Sequence, residues 1–250
     1  MAGNSRHDTI LRMVQARKAI TIGELTERLR VSEVTIRKDL TVLEEMGLLM
    51  RTRGGAVPAE NRLASRPLRM RRSEHRQAKQ RIAERALRLV RDDETVYLDS
   101  GTTCATFAAM LVPMSLRVVT NSIDVLLALS ESDSVALHSV GGAFRRDAGS
   151  LVGPLALDAF ARFHIDVAFL GTSGLSEQGV FTTQNLNEAQ IKEAACRAAK
   201  RRIMLMDASK FRTEAFAVFA RPGMIDVIVT DLGEAECRDL RDLGFDVVSV

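Results

Sequence analysis

The run Asp99-Ser100-Gly101-Thr102-Thr103 combines carboxylate, hydroxyl and glycine where a short apolar stretch gives way to a helical pattern. A helix start offers unpaired backbone N–H groups and the positive end of its dipole, so a phosphate fits there. The run has no Gly-Lys-Ser/Thr ending and no Gly-x-Gly-x-x-Gly spacing, which excludes a nucleotide P-loop and a dinucleotide fingerprint. Three more polar clusters follow apolar runs: Thr120-Asn121-Ser122, Gly141-Gly142 and Gly171-Thr172-Ser173-Gly174. Glycine admits a ligand close to the backbone, and hydroxyl and amide groups suit sugar hydroxyls. Asp207-Ala208-Ser209-Lys210 adds an ammonium within reach of an anion. The expected ligand contacts are Asp99, Ser100, Gly101, Thr102, Thr103, Thr120, Asn121, Gly141, Gly142, Gly171, Thr172 and Lys210. Glu188 and Lys192, four apart near a helix start, read as a surface ion pair of small value.

A second constellation lies near the amino end, in Thr21 to Ala56. Thr21 followed by Glu24 forms a capping box, and Ile22, Leu25 and Leu29 share one helical face. Arg30-Val31 makes a break, and Ser32 is the N-cap of a further helix. Its apolar positions Val34, Ile36, Leu40 and Leu43 are expected inward, leaving Ser32, Glu33, Thr35, Arg37 and Lys38 outward. Hydroxyls and guanidinium groups at the start of a recognition helix read base edges or grip phosphates. After Gly47, the residues up to Ala56 predict two short strands around a basic tip, a wing bearing Arg51 and Arg53. The DNA-binding candidates are therefore Ser32, Thr35, Arg37, Lys38, Arg51 and Arg53. A preceding helix over Arg6 to Lys18, with Ile10, Leu11 and Val14, completes the small core.

Elements that would position the first set begin after Ser73. A helix over Glu74 to Val90 is followed by strands at Thr95–Leu98, Leu116–Thr120, Ser134–Val140, Val167–Leu170, Arg202–Met206, Ile225–Thr230 and Asp246–Val250. Helices are expected between them at Thr102–Leu111, Ser122–Leu129, Leu151–Phe163, Asn187–Lys200 and Glu234–Leu243. Such alternation predicts a Rossmann-like α/β domain with a mostly parallel sheet, in which ligands bind at the carboxyl ends of the strands. The expected organisation is a winged helix-turn-helix domain at residues 1–57, a basic linker at 58–73 and a ligand-binding domain at 74–250.

Charge supports this division. Residues 1–76 carry 16 Lys and Arg against 9 Asp and Glu, a net +7, whereas residues 77–250 carry 19 against 23, a net −4. The basic part coincides with the DNA-reading candidates. Cys104, Cys196 and Cys237 are odd in number and far apart, which fits a reduced cytoplasmic protein better than a disulfide framework. His7, His75, His138 and His164 have no ligand spacing, so neither a metal nor a cofactor is expected. No run of eighteen apolar residues exists, and the first ten residues hold no apolar signal core, which speaks against membrane insertion and export.

The sequence resembles the DeoR family of bacterial transcriptional regulators over nearly its whole length. The amino-terminal likeness rests on Val31-Ser32, Thr35-Ile36-Arg37-Lys38-Asp39-Leu40, Leu43, Gly47 and Arg53-Gly54-Gly55-Ala56. Lys38 replaces a second arginine, and Arg53 a histidine, of the usual pattern; Lys keeps the charge but not a bidentate contact. The carboxy-terminal likeness rests on Asp99 to Thr103, Val119-Thr120-Asn121, Gly141-Gly142, Val152-Gly153-Pro154, Phe169 to Gly174, Glu188, Asp207 to Lys210 and Thr230-Asp231. The resemblance implies a sensor domain similar to ribose-5-phosphate isomerase that binds a phosphorylated sugar or related metabolite. It assigns Ser100 to Thr103 to the phosphate, and Glu188 and Lys210 to positions near the sugar. It implies double-stranded operator DNA as a partner, a homodimer or homotetramer, and a cytoplasmic protein that joins the nucleoid when bound to DNA. The isomerases carry further catalytic aspartates in a loop where this sequence has Gly171-Thr172-Ser173-Gly174. Enolisation needs a positioned base, so the resemblance implies binding without turnover. The expected function is a repressor of a sugar or polyol catabolic operon; the alternative is an isomerase-like enzyme with an accessory DNA-binding domain.

Overall fold

A computed structural model describes every residue except Met1, Lys18, Met46, Gly47, Arg53 and 59–67. The chain forms two compact units that divide between residues 67 and 68. The first contains α1 (Ala2–Arg17), β1 (Ile20–Thr21), α2 (Ile22–Leu29), α3 (Glu33–Glu45), β2 (Leu49–Thr52) and β3 (Gly55–Pro58). Ile10 and Val14 of α1, Leu25 of α2, and Ile36, Leu40 and Leu43 of α3 bury together with Ile20, Leu49 and Ala56. These residues recur at helical spacing on one face of each helix, so each helix has one way to cover its apolar stripe. β2 and β3 pair antiparallel as the expected wing, and β1 adds to the far side of β3.

Gly55 is where β1 and β3 approach most closely. A Cβ there would lie 2.8 Å from Thr21 Cα and closer still to the Ile20 carbonyl. Both neighbours are backbone and have nowhere to go. Gly55→Ala is therefore expected to destabilise the first unit by about 1–3 kcal/mol, as overpacking does. Hydrogen exchange of the Ile20 to Thr52 region checks this, and unchanged protection would refute it.

Of the segment expected as a basic linker, 59–67 lies outside the described residues, and Leu68–Ser73 forms a helix, α4. Its Leu68 packs against Gly149, a docking site that no local pattern in 58–73 announces. α5 (Arg76–Leu87) follows. Then come β4 (Thr95–Leu98), α6 (Thr102–Ala108), β5 (Leu116–Thr120), α7 (Ile123–Leu129) and β6 (Val135–Ser139). A hairpin of β7 (Ala143–Arg145) and β8 (Ser150–Val152) leads to α8 (Pro154–Ala159) and β9 (Ile165–Gly171). After β10 (Gly174–Leu175) and β11 (Phe181–Thr183) come α9 (Leu186–Ala198), β12 (Ala199–Met206), β13 (Ala217–Ala220), β14 (Val227–Thr230), α10 (Glu234–Asp242) and β15 (Asp246–Ser249).

Seven strands form one parallel sheet in the order β15-β14-β12-β9-β4-β5-β6. Strand side chains alternate between two apolar layers. Val96 and Leu98 face α5, α6 and α7, whereas Tyr97 faces the layer of α8, α9 and α10. Burial on both faces explains why these strands read as continuous apolar runs. Strand order reverses between β4 and β9, and a crevice at such a switch point opens at the carboxyl ends.

The single helix expected over Leu151–Phe163 is instead strand β8 followed by α8 and a 3-10 turn at Phe160–Arg162. Gly153 has φ of 94° and Pro154 occupies the first helical turn, so no helix can pass through them. The small antiparallel sheet β10-β11-β13 was not anticipated either. Its strands are too short to show a period.

Candidate functional site

In the first unit, Thr21 Oγ1 accepts from the Glu24 N–H at 3.2 Å and Glu24 Oε2 accepts from the Thr21 N–H at 2.8 Å, closing the capping box. Arg30 turns the chain with φ of 53°. Ser32 Oγ then accepts from the Thr35 N–H at 3.3 Å and shares a 2.9 Å hydrogen bond with Thr35 Oγ1. Ser32 thus caps α3, and the Thr35 hydroxyl is tied to the cap. Arg37 and Lys38 are exposed on α3, with Arg37 Nη2 at 3.3 Å from Glu33 of the preceding turn. Arg51 donates its N–H to Glu44 Oε1 at 2.9 Å and its guanidinium to Thr41 Oγ1 at 2.6 Å, which fastens the wing to α3. Arg53 lies outside the described residues.

Val34 corrects the expectation that it turns inward: it is 64% exposed. Ile36, Leu40 and Leu43 are spaced by four and three residues, whereas Val34 stands two from Ile36, about 200° around the helix. It therefore shares the outward face with Arg37 and Lys38. Sequence reasoning also missed the role of Asp39, which is 6% exposed. Its carboxylate accepts from Arg6 Nε at 2.6 Å and Nη2 at 3.0 Å and lies 3.0 Å from His7 Nε2, joining α1 to α3. Burial disfavours its charge, but the bonds from Arg6 and His7 outweigh that and hold the carboxyl below its ordinary range.

In the second unit the parallel sheet brings the polar clusters to one edge. At the switch point, Asp99 after β4 accepts the Gly171 N–H of β9 at 3.0 Å. Its Oδ2 also pairs with Lys192 Nζ, which donates to the Gly171 carbonyl at 2.9 Å. Lys192 is 4% exposed, so the expectation of a surface pair with Glu188 is corrected. α9 is capped by Asn185 and points its Lys192 face into the sheet. Glu188, one turn earlier, instead accepts from Thr183 Oγ1 at 3.0 Å and lies 3.6 Å from Arg145 Nη1.

Thr120 and Asn121 are buried and committed. Thr120 Oγ1 donates to the Leu98 carbonyl at 2.6 Å. Asn121 Oδ1 accepts from Tyr97 Oη and the Ser100 N–H, both at 3.0 Å. Thr172 Oγ1 is likewise engaged with the carbonyls of Gly174 and Thr182. Gly142, with φ of 107°, stands where a Cβ would meet the Val152 carbonyl at 2.5 Å. That close neighbour is the hairpin, which fills the space sequence reasoning kept for a ligand. The hydroxyls of Ser100, Thr102 and Thr103, and Lys210 Nζ, have no hydrogen-bond partner among the described residues, and Gly101 opens α6 with φ of 138°. Ser100 and Thr103 are 8% and 9% exposed. The arrangement is a hydroxyl-lined loop with spare donors, supported by the internally paired Asp99, Lys192 and Asn121.

Cys104, Cys196 and Cys237 are free and buried. Burial pushes the Cys104 thiol well up and that of Cys196 to about 12, so neither is a thiolate nucleophile near neutrality. Among the described residues no helix is long and apolar enough to cross a membrane.

Residues 6–62 match the family model of the DeoR-like helix-turn-helix domain, and residues 74–232 match that of the DeoR C terminal sensor domain. The chain is 33% identical over 230 residues to the uncharacterized HTH-type transcriptional regulator FruR of Bacillus subtilis, covering 92% of this chain and 91% of the other. It is 30% identical over 233 residues to the glycerol-3-phosphate regulon repressor of Escherichia coli, covering 92% of each. The transcriptional repressor AccR of Agrobacterium fabrum is 32% identical over 238 residues, covering 93% of this chain and 92% of the other. Among solved structures, ribose 5-phosphate isomerase A of Methanocaldococcus jannaschii overlays 55% of each chain with a TM-score of 0.42 and 17% identity, too slight a likeness to bear on function. With both of its units matched, and with relatives aligned along nine-tenths of its length, the chain belongs to the DeoR family.

Proposed function

We propose that the protein is a DNA-binding repressor of a sugar or polyol catabolic operon, released from its operator by a phosphorylated sugar. The observation that carries this is the joining, in one chain, of a winged helix-turn-helix with a loop of uncommitted hydroxyls at the switch point of a parallel sheet. It is a regulator and not an enzyme; related proteins are named as repressors, and the Gly171 to Gly174 loop carries no acid for proton transfer. In this reading Ser100 to Thr103 hold the phosphate, and Glu188 and Lys210 meet the sugar. Asp99, Thr120, Asn121, Gly141, Gly142, Gly171 and Thr172 shape the loops around them. The protein acts as a homodimer or homotetramer, since helix-turn-helix proteins read paired half-sites, and works in the cytoplasm.

For DNA, Arg37, Lys38 and the wing arginines Arg51 and Arg53 supply positive charge, while Ser32 and Thr35 hold the start of α3 in shape. Exposed Val34 suits the methyl group of a thymine in the major groove. Arg37→Ala is expected to weaken operator binding by about 1–3 kcal/mol, measured by fluorescence anisotropy at fixed salt. Wild-type affinity in that variant would remove Arg37 from the reader. The function as a whole is tested by a thermal-shift screen against phosphorylated sugars, with free sugars as controls, followed by operator release. A ligand at 100 times its dissociation constant stabilises by about 2.7 kcal/mol, and a phosphosugar that stabilises without releasing DNA would overturn the coupling.

A further inference from the structure

Two buried guanidinium nitrogens near this site have no acceptor within hydrogen-bond distance: Arg71 Nε, and Arg145 Nη1, whose ion-pair partner Glu188 stands at 3.6 Å. They come from separate elements, Arg71 from α4 and Arg145 from β7. Arg145 is 18% exposed and Glu188 beside it 11% exposed; Arg145 Nη2 is already taken by Asp147. Burial pulls the Arg71 guanidinium below its ordinary value, against the pull of Glu188 and Asp147, and α4 lies on the hairpin that carries Arg145, with Leu68, one turn before Arg71, packed at Gly149. A guanidinium has five donors and no acceptor. Leaving such donors dry is unfavourable unless something else brings the oxygens.

α4 is fastened across the strand ends. Arg72 pairs with Asp124 at the start of α7, and the Arg71 carbonyl accepts from buried Lys79 Nζ, which also donates to the Glu74 carbonyl at 2.7 Å. α4 packs on α6, the helix opened by the Ser100 to Thr103 loop. It is also the first element of the second unit, where the chain arrives from the DNA-reading unit.

We propose that Arg71 and Arg145 form an oxyanion-binding fork of the effector site, so that α4 gains a direct bond to the ligand when the site fills. The fork takes phosphate or carboxylate oxygens of an anionic metabolite. Because Arg71 stands at the start of the second unit, the ligand alters the hold on the segment that leads to the DNA reader. This supplies the differential affinity that any ligand-driven switch requires. The inference rests on the effector site proposed above.

The test uses the full chain, as wild type, R71Q and R71K, in thermal-shift titrations at constant ionic strength. The probes are ribose 5-phosphate, fructose 1-phosphate, 6-phosphogluconate and inorganic phosphate. Ligand-free R71Q is expected to melt no lower than wild type, because the buried Nε–H that lacks an acceptor is gone. Its dissociation constant for any probe that stabilises the wild type is expected to rise about tenfold or more. R71K, which keeps the charge but not the fork, should fall between. A stronger response to 6-phosphogluconate than to the sugar monophosphates would assign the fork a carboxylate; the reverse order would assign it a phosphate. Equal affinity of wild type and R71Q, or of wild type and R71K should R71Q not fold, overturns the fork. Stabilisation by inorganic phosphate alone that is lost in R71Q supports the fork while sinking the phosphosugar reading. Wild type that responds to no probe sinks both.

Discussion

Replacing Lys192 by Met is expected to cost about 3–5 kcal/mol of stability, the usual penalty for leaving one partner of a buried ion pair alone. Met has a similar length and packs among the same neighbours, so the loss isolates the charge. Asp99 is fully buried, and only one of its oxygens has partners, Lys192 and the Gly171 N–H. The double variant K192M/D99N should recover most of the loss, because Asn still accepts the Gly171 N–H while burying no charge. Urea unfolding of the single and double variants measures this, and a K192M protein within 1 kcal/mol (roughly) of wild type would show that the pair is not the linchpin of the β4–β9 crevice.

The same pair sets a pH window. Burial opposes the Lys192 charge, but attraction by Asp99 and then Glu188 outweighs it, and the folded-state pKa lies above the ordinary 10.5. A group raised in the folded state contributes its full stabilisation below the unfolded pKa and loses it as pH rises through the folded one. On the alkaline side, the stabilisation that wild type draws from the Lys192 charge, relative to the double variant, should therefore hold from neutral pH to about 10.5 and shrink above it. A stability gap between the two that changes near neutrality would mean that Lys192 is not charged as described.

The second large effect is on sensing. Ser100→Ala combined with Thr103→Ala removes the hydroxyls of two nearly buried residues, and neither hydroxyl has a partner among the described residues. Each hydrogen bond to a charged phosphate is worth about 1.5–3 kcal/mol. Together they predict at least a hundredfold weaker effector binding, about 2.7 kcal/mol or more. Effector-induced release from the operator should disappear over the concentrations at which wild type responds. A full response in the double variant would move the phosphate elsewhere, with the Arg71–Arg145 fork the next place to look. The alanines keep the backbone N–H groups of the loop, so the experiment weighs hydroxyls against amides within one site.

The helix-turn-helix and the strand-end loops were legible in the sequence because each depends on neighbours in the chain. The Thr21–Glu24 box, the Ser32 cap and the Ile36, Leu40, Leu43 stripe are set within four residues of one another, and the structure has all of them. Val34 was misplaced because adjacent β-branched residues read as one stripe until the 3.6-residue period is counted from Ile36. The alternation of strands and helices likewise fixed a parallel sheet, whose carboxyl ends must share an edge.

What lies along that edge depended on contacts between residues far apart in the chain. Lys192 bonds Asp99, 93 positions away, and Asp39 bonds Arg6, 33 positions away. No periodicity carries such partners; the first follows from strand order, which places β4 beside β9 under α9, and the second from the packing of α1 and α3 in one core. Arg71 looked like one arginine among several in a basic linker, and Gly142 like room for a ligand. Local propensity and spacing thus determined which elements form and where their polar ends gather. The choice between solvent, an ion pair or a packed hairpin for each polar group was made only by tertiary packing, because burial and charge compensation are properties of the assembled neighbourhood.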